Sequence, residues 1–178
     1  MFKEKTIAFL FFVLLSFSSV RASEIVESVV ASLNDRAITY SEIVQEGELI
    51  NIETDVPPQT PLTPKIKEKI LNLIMFRIIL FEEAREVNVT VEDKKVREKV
   101  KTYMSNVYMK KFLKKYHISD LEFTTMIKMR LLADKMTARF LKKRFKNKTP
   151  NEEQKKKAVE DWQKNLLKKQ KLVLYSIP

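Results

Sequence analysis

Apolar residues follow two rhythms along this chain, and the change of rhythm divides it into elements. Residues 25–33 form a dense Val-rich run of high β-propensity. Asn34-Asp35 interrupts it, and both residue types tolerate the left-handed backbone of a tight turn. Ala37-Ile38-Thr39 then returns as a short second strand. From there the apolar period becomes helical. Thr39-Tyr40-Ser41-Glu42 has the spacing of a capping box, in which the Thr hydroxyl accepts from the amide three residues on and the Glu reaches back. It predicts a helix over 41–52 with Ile43, Leu49, Ile50 and Ile52 apolar. Residues 53–63 hold Pro57, Pro58 and Pro61 and read as a stiff, extended connector. Thr63-Pro64 opens the next helix, because proline is pre-set for a first helical turn.

That helix, over 64–87, is the most apolar element after the N-terminal stretch. Its centre, residues 71–81, is apolar on nearly every side, so it must be covered on most faces and is the expected spine of the core. Asn88 ends it, and Thr90-Val91-Glu92-Asp93 starts another helix running to 104. In 106–116, Met109, Phe112, Leu113 and Tyr116 lie at i, i+3, i+4 and i+7, with Lys110, Lys111, Lys114 and Lys115 on the opposite side. Ser119-Asp120-Leu121-Glu122 is a second capping box, ahead of a helix over 120–145. The apolar residues of that helix cover most of its circumference, leaving Lys128, Lys135 and Lys142 as a narrow wet stripe. Thr149-Pro150-Asn151-Glu152 starts a last helix over 150–169, with Ala158, Val159, Trp162 and Leu166 as its stripe. Trp162 is expected buried against the core. Residues 172–175 form a β-type run that is unstable alone. Either it frays, or it pairs with the strands at 25–39 and joins the two ends in one small sheet. The fold class is therefore mostly α (α+β): a helical domain closed by a small antiparallel sheet.

Residues 1–22 change the picture of where the chain works. Lys3 and Lys5 precede a mostly apolar stretch over 6–20, and Val20-Arg21-Ala22 places small residues at the two positions that a signal peptidase reads. The stretch is shorter than the roughly 18 residues of a spanning helix, which favours a signal peptide cleaved after Ala22 over an uncleaved anchor. The expected mature chain is then a single domain over 23–178, in which 150–178 supply the completing helix and strand. The formal net charge of the whole chain is +11. Residues 23–93 hold 6 basic and 14 acidic residues, while 94–178 hold 25 basic and 8 acidic, so the charge is bipolar along the sequence.

Composition excludes several chemistries. The chain has no Cys, hence no disulfide, thiol nucleophile or Cys-based zinc site. Its single Gly, Gly47, cannot make the glycine-rich phosphate loops of nucleotide sites. The single His, His117, follows a Lys-rich helix and reads as a loop or helix-end residue rather than a catalytic one. Glu82-Glu83 and Glu152-Glu153 are neighbours pointing about 100° apart on a helix, which does not suit a shared proton or metal. Asn88-Val89-Thr90 and Asn147-Lys148-Thr149 match the glycosylation acceptor pattern but also serve as helix-end and cap residues. No cofactor, metal or catalytic set is expected, and the chain is not expected to be an enzyme. The lysine runs alternate with core-facing residues, and an export leader leads away from nucleic acid, so none is expected as a partner. The methionines are more suggestive: of the six after the leader, five lie in 104–136. Methionine suits surfaces that accept varied apolar partners, although a stripe at helical spacing is also what a core-facing helix shows.

The order of elements resembles a known family. The Val-rich hairpin carries Val29-Val30-Ala31-Ser32-Leu33-Asn34-Asp35 and Ile38-Thr39-Tyr40-Ser41-Glu42-Ile43. An apolar helix follows, then the Asn88-Val89-Thr90-Val91-Glu92-Asp93 junction and the Tyr116-His117-Ile118-Ser119 turn before a long helix. These are similar to the N-terminal module of the SurA-type periplasmic chaperones and related parvulin foldases, and 162–174 resembles the family's C-terminal helix and strand. Family members insert Gly-rich prolyl isomerase domains after the long helix. Here Phe145 is followed by Lys146-Asn147-Lys148-Thr149-Pro150 and then directly by the last helix, so that activity does not carry over. The resemblance implies an ATP-independent periplasmic holdase for unfolded polypeptides, outer-membrane proteins among them. The expected client-binding residues are Met109, Phe112, Tyr116, Phe123, Met126 and Met129. The basic half would add weak contact with anionic membrane surfaces at low salt. The competing reading is an envelope adaptor that binds one specific partner.

Overall fold

A computed structural model describes residues 28–57, 60–146 and 148–177. The expected leader and cleavage site, the expected strand start at 25–27, Pro58 and Asn147 of the second acceptor pattern lie outside the described residues. Strand β1 (Val29–Leu33) and strand β2 (Arg36–Thr39) pair antiparallel with Leu33 opposite Arg36. Asn34 (φ 49°) and Asp35 (φ 66°) both take the left-handed conformation that a two-residue hairpin turn requires. The register shifts between Val29 and Ala31, a bulge that bends the strand at its start.

Six helices follow among the described residues: α1 (Tyr40–Glu53), α2 (Pro64–Glu86), α3 (Asp93–Met104), α4 (Val107–Lys115), α5 (Asp120–Arg144) and α6 (Glu152–Leu167). No helix among these residues is long and apolar enough to cross a membrane. Both expected capping boxes form. The Thr39 amide donates to Glu42 at 2.9 Å and the Glu42 amide to the Thr39 hydroxyl at 3.3 Å. The Ser119–Glu122 pair repeats the arrangement, and its hydrogen bonds hold the Glu122 carboxyl below its ordinary range. Thr63 caps α2, and Pro64 is its first residue.

Helices α2 and α4 stop in the same way. Asn88 and His117 each sit at φ 52°. The next amide, Val89 or Ile118, donates back to Ala84 or Leu113 at 2.8 and 2.9 Å, which closes the helix end in a Schellman motif. His117 is thus a helix terminator. Two other helix starts differ from the sequence reading. Thr90 does not begin α3; its carbonyl accepts the Lys135 ammonium at 2.6 Å, and the helix starts at Asp93 without a side-chain cap. α6 starts at Glu152 rather than 150, because Asn151 forms a capping box with Gln154 and leaves Pro150 outside the helix.

Helix α2 is the spine. Leu71, Met75, Phe76, Ile79 and Leu80 are buried, and α1, α5 and α6 pack around them. Gly47 on α1 lets the connector approach: a Cβ there would stand 2.5 Å from Leu62 Cδ1 and 3.0 Å from Ile70 Cδ1. α6 is held by an aromatic sandwich. Trp162 stacks on Phe140 at 4.2 Å between ring centres and meets the Phe76 ring edge-on at 5.4 Å. Trp162 is nevertheless half-buried, not enclosed as the sequence reading expected, because α6 lies on the outside of the bundle and, among the described residues, no further layer covers its outer face. The chain then returns through Gln170, which accepts a hydrogen bond from the Asn34 side chain at 2.7 Å. Strand β3 (Leu172–Leu174) pairs antiparallel with β1, giving the sheet order β2-β1-β3. The two ends therefore meet, and the frayed alternative does not apply.

Two outcomes follow from this closure. Truncation after Gln170 removes the Lys171 carbonyl that the Asn34 amide bonds at 3.0 Å. Hydrogen exchange at Asn34 should then accelerate, while the Tyr40 amide, bonded to Ser28 on the other side, keeps its protection. Trp162→Ala should lower stability by about 2–4 kcal/mol in urea unfolding, somewhat less than for a fully enclosed aromatic.

Candidate functional site

Glu46 and Glu53 are seven residues apart on α1 and so share one face of it. Glu46 is only 8% exposed. Two guanidinium groups reach its Oε1 atom at 2.5 Å: Arg77 from the middle of α2 and Arg130 from α5, the latter also 8% exposed. Arg130 further bonds Glu53, and the Tyr103 hydroxyl from α3 donates to the same Glu53 oxygen. Four helices are thus tied by one compact polar cluster of two carboxylates and two guanidiniums. Burial works against the charge on Arg130, but Glu46 and Glu53 outweigh it and raise its pKa above that of an ordinary arginine. Burial, and then the hydrogen bond to Glu53, push the Tyr103 phenol up to about 12.

Beside this cluster lies an open groove of about 190 Å³. Its apolar wall is Ile74 and Ile78 from α2 with Met126 and Met129 from α5, and Arg77, Arg130 and Glu46 form its polar end. Gln45 and the ion pair Arg36–Glu42 (3.3 Å) stand at its rim. The pair is solvated on both sides and contributes little to stability. The groove places two flexible thioethers and two isoleucines next to guanidiniums that are already committed to carboxylates. A lining of this kind can accept apolar side chains.

A family model for the SurA-like N-terminal domain matches residues 5–137. The chain belongs to that family. SurA-like domains are chaperone-related, associated with polypeptide clients and typically periplasmic. No curated protein matches the chain. The matched range ends within α5; α6 and β3 lie outside it and pack against α2 and β1 inside it. Residues 145–151 join α5 directly to α6, which leaves no room for an isomerase domain between them.

The six residues expected to meet clients separate into three groups in this SurA-like fold. Met126 and Met129 are half-buried and line the groove. Met109, Phe112 and Phe123 are at most 1% exposed and belong to the core, so they have no surface to offer in this arrangement. The reason is geometric. The α4 stripe packs onto α1, and Phe123 meets the Tyr103 ring edge-on at 5.9 Å. Tyr116 stands between these groups. Its ring packs on Phe112 at 5.0 Å, its hydroxyl donates to Glu48 at 2.8 Å, and burial followed by that hydrogen bond raises its pKa. Sequence reasoning missed Glu46, Glu53, Arg77 and Arg130. A signal was present: Arg77 is the only charge in the apolar run 71–81, and Glu46 stands between Ile43 and Leu49 on a buried stripe. A charge in such a place needs partners of opposite sign.

Removing Glu46 leaves two guanidiniums without their shared carboxylate. Glu46→Ala should lower stability by about 3–5 kcal/mol in chemical denaturation. The Tyr103 phenol is raised on folding from its ordinary 10.0 to about 12. Its contribution to stability is therefore complete below pH 10.0 and lost as pH rises through about 12. Phenolate absorbance of the native chain should show this late titration. Glu53→Gln should bring it part of the way down, since burial, the larger cause, remains.

Proposed function

We propose that this SurA-like domain is an ATP-independent holdase that shields apolar segments of unfolded polypeptides, outer-membrane proteins among them, in the periplasm. One observation carries the reading. Met126 and Met129 stay half-exposed in a groove beside Ile74 and Ile78, although the core beneath is complete. The family's association with polypeptide clients agrees with it. An extended client would lay one or two apolar side chains against the methionines, which adapt to different shapes by rotating about three side-chain bonds. The groove is small and open, so each contact is weak and exchange is fast. Capture and release then need no nucleotide, and no prolyl isomerase step belongs to the mechanism.

Light scattering of several unrelated unfolded proteins, with the chain at near-stoichiometric ratio, tests this. Protection of several clients is expected, and the double variant Met126→Glu, Met129→Glu should lose most of it while melting as the parent does. Protection of none, together with one tight partner in a pull-down, would replace the holdase with an envelope adaptor.

A further inference from the structure

The junction of α5 and α6 holds more positive charge than the fold or the groove uses. α5 ends in Lys142, Lys143 and Arg144, the turn continues with Lys146 and Lys148, and α6 carries Lys155, Lys156 and Lys157 in its opening turns. Between residues 140 and 158 these eight basic side chains face only two acidic ones, Glu152 and Glu153. Among the described residues the one ion pair here is Lys155–Glu152, at 2.6 Å. A helix C-terminus favours basic residues in its last turn, which accounts for the end of α5 but not for Lys146, Lys148, Lys156 and Lys157. All but Lys155 are exposed. Phe145 stands half-buried in their midst, capping α5 one turn beyond the Phe140–Trp162 stack.

A run of exposed cations on both sides of a partly exposed phenylalanine suits one kind of surface. The negative potential of an anionic bilayer attracts the basic groups, and an aromatic side chain settles at the headgroup level. We propose that this tip docks the protein on anionic phospholipid membranes. SurA-like domains are typically periplasmic, which makes a bilayer rather than a nucleic acid the polyanionic surface within reach. Docking and client capture do not compete for space. Met129 lies fifteen residues before Arg144 on the same helix, roughly 20 Å along its axis. The groove therefore stays open when the tip is seated, and this inference stands or falls separately from the holdase reading.

Co-sedimentation of the full chain with vesicles tests it. Vesicles of phosphatidylcholine alone set the contribution of the apolar N-terminal stretch, and vesicles with equal parts of phosphatidylglycerol add the anionic surface. The anionic vesicles should bind more strongly, with the excess removed by high salt. Replacing Lys142, Lys143, Arg144 and Lys146 by Gln should cut that excess about tenfold or more. Replacing Lys142, Lys143 and Lys146 by Arg should keep it. A charge-matched control (Lys94, Arg97, Lys101 and Lys110 to Gln) should lose much less. No preference for anionic vesicles would overturn the proposal. So would an equal loss in the control, or salt-sensitive capture of polyglutamate or duplex DNA without vesicle binding.

Discussion

A single carboxylate, that of Glu46, accepts from two arginines on two different helices, and the spacing of α1, α2 and α5 follows from the need to satisfy it. Arg77 stands in the middle of an otherwise apolar helix, where an unpaired guanidinium would carry a large desolvation cost. Arg130 lies deeper and needs both Glu46 and Glu53. The burial of apolar area by itself is indifferent to direction. The charge cluster is not, and Tyr103 extends its reach to α3. The groove lies beside this cluster, so its geometry is set by a polar anchor and its lining by adaptable apolar groups. Rigidity and plasticity are thereby assigned to different residues of the same small region.

Local signals in the sequence were strong wherever a short run of residues settles the backbone by itself. The Asn34-Asp35 turn, the capping boxes at Thr39 and Ser119, and the Thr63-Pro64 start are of this kind. The misplaced helix starts show how such signals compete. Thr149-Pro150 looks like a start, but Asn151 and Gln154 satisfy each other and move the cap two residues on, from Thr149 to Asn151. Thr90 does not cap α3; its carbonyl accepts from Lys135, a residue forty-five positions away that no local pattern can reveal.

The candidate site was less legible for a related reason. A methionine or phenylalanine on an apolar stripe looks the same whether a second helix covers it or leaves it open. Only the packing of α4 against α1 separates Met109 and Phe112, which are covered, from Met126 and Met129, which border the groove. The informative residues were instead the charges inside the apolar stripes. Their misfit with the local pattern pointed to long-range partners, and those partners mark the place where the surface acquires a defined shape.

The sheet has one further consequence, and it concerns time. β1 stands at the beginning of the described chain and β3 at its end, and Asn34 bonds residues more than 130 positions away. The helices can form early from local contacts, but the central strand gains its second neighbour only after the last residues are available. Long-range pairings of this kind slow folding, because the entropy of closing the chain comes before the reward. Until residues 172–174 have reached β1, the domain therefore stays short of its final structure. Pairing of β3 with β1 is the step that completes the three-stranded sheet.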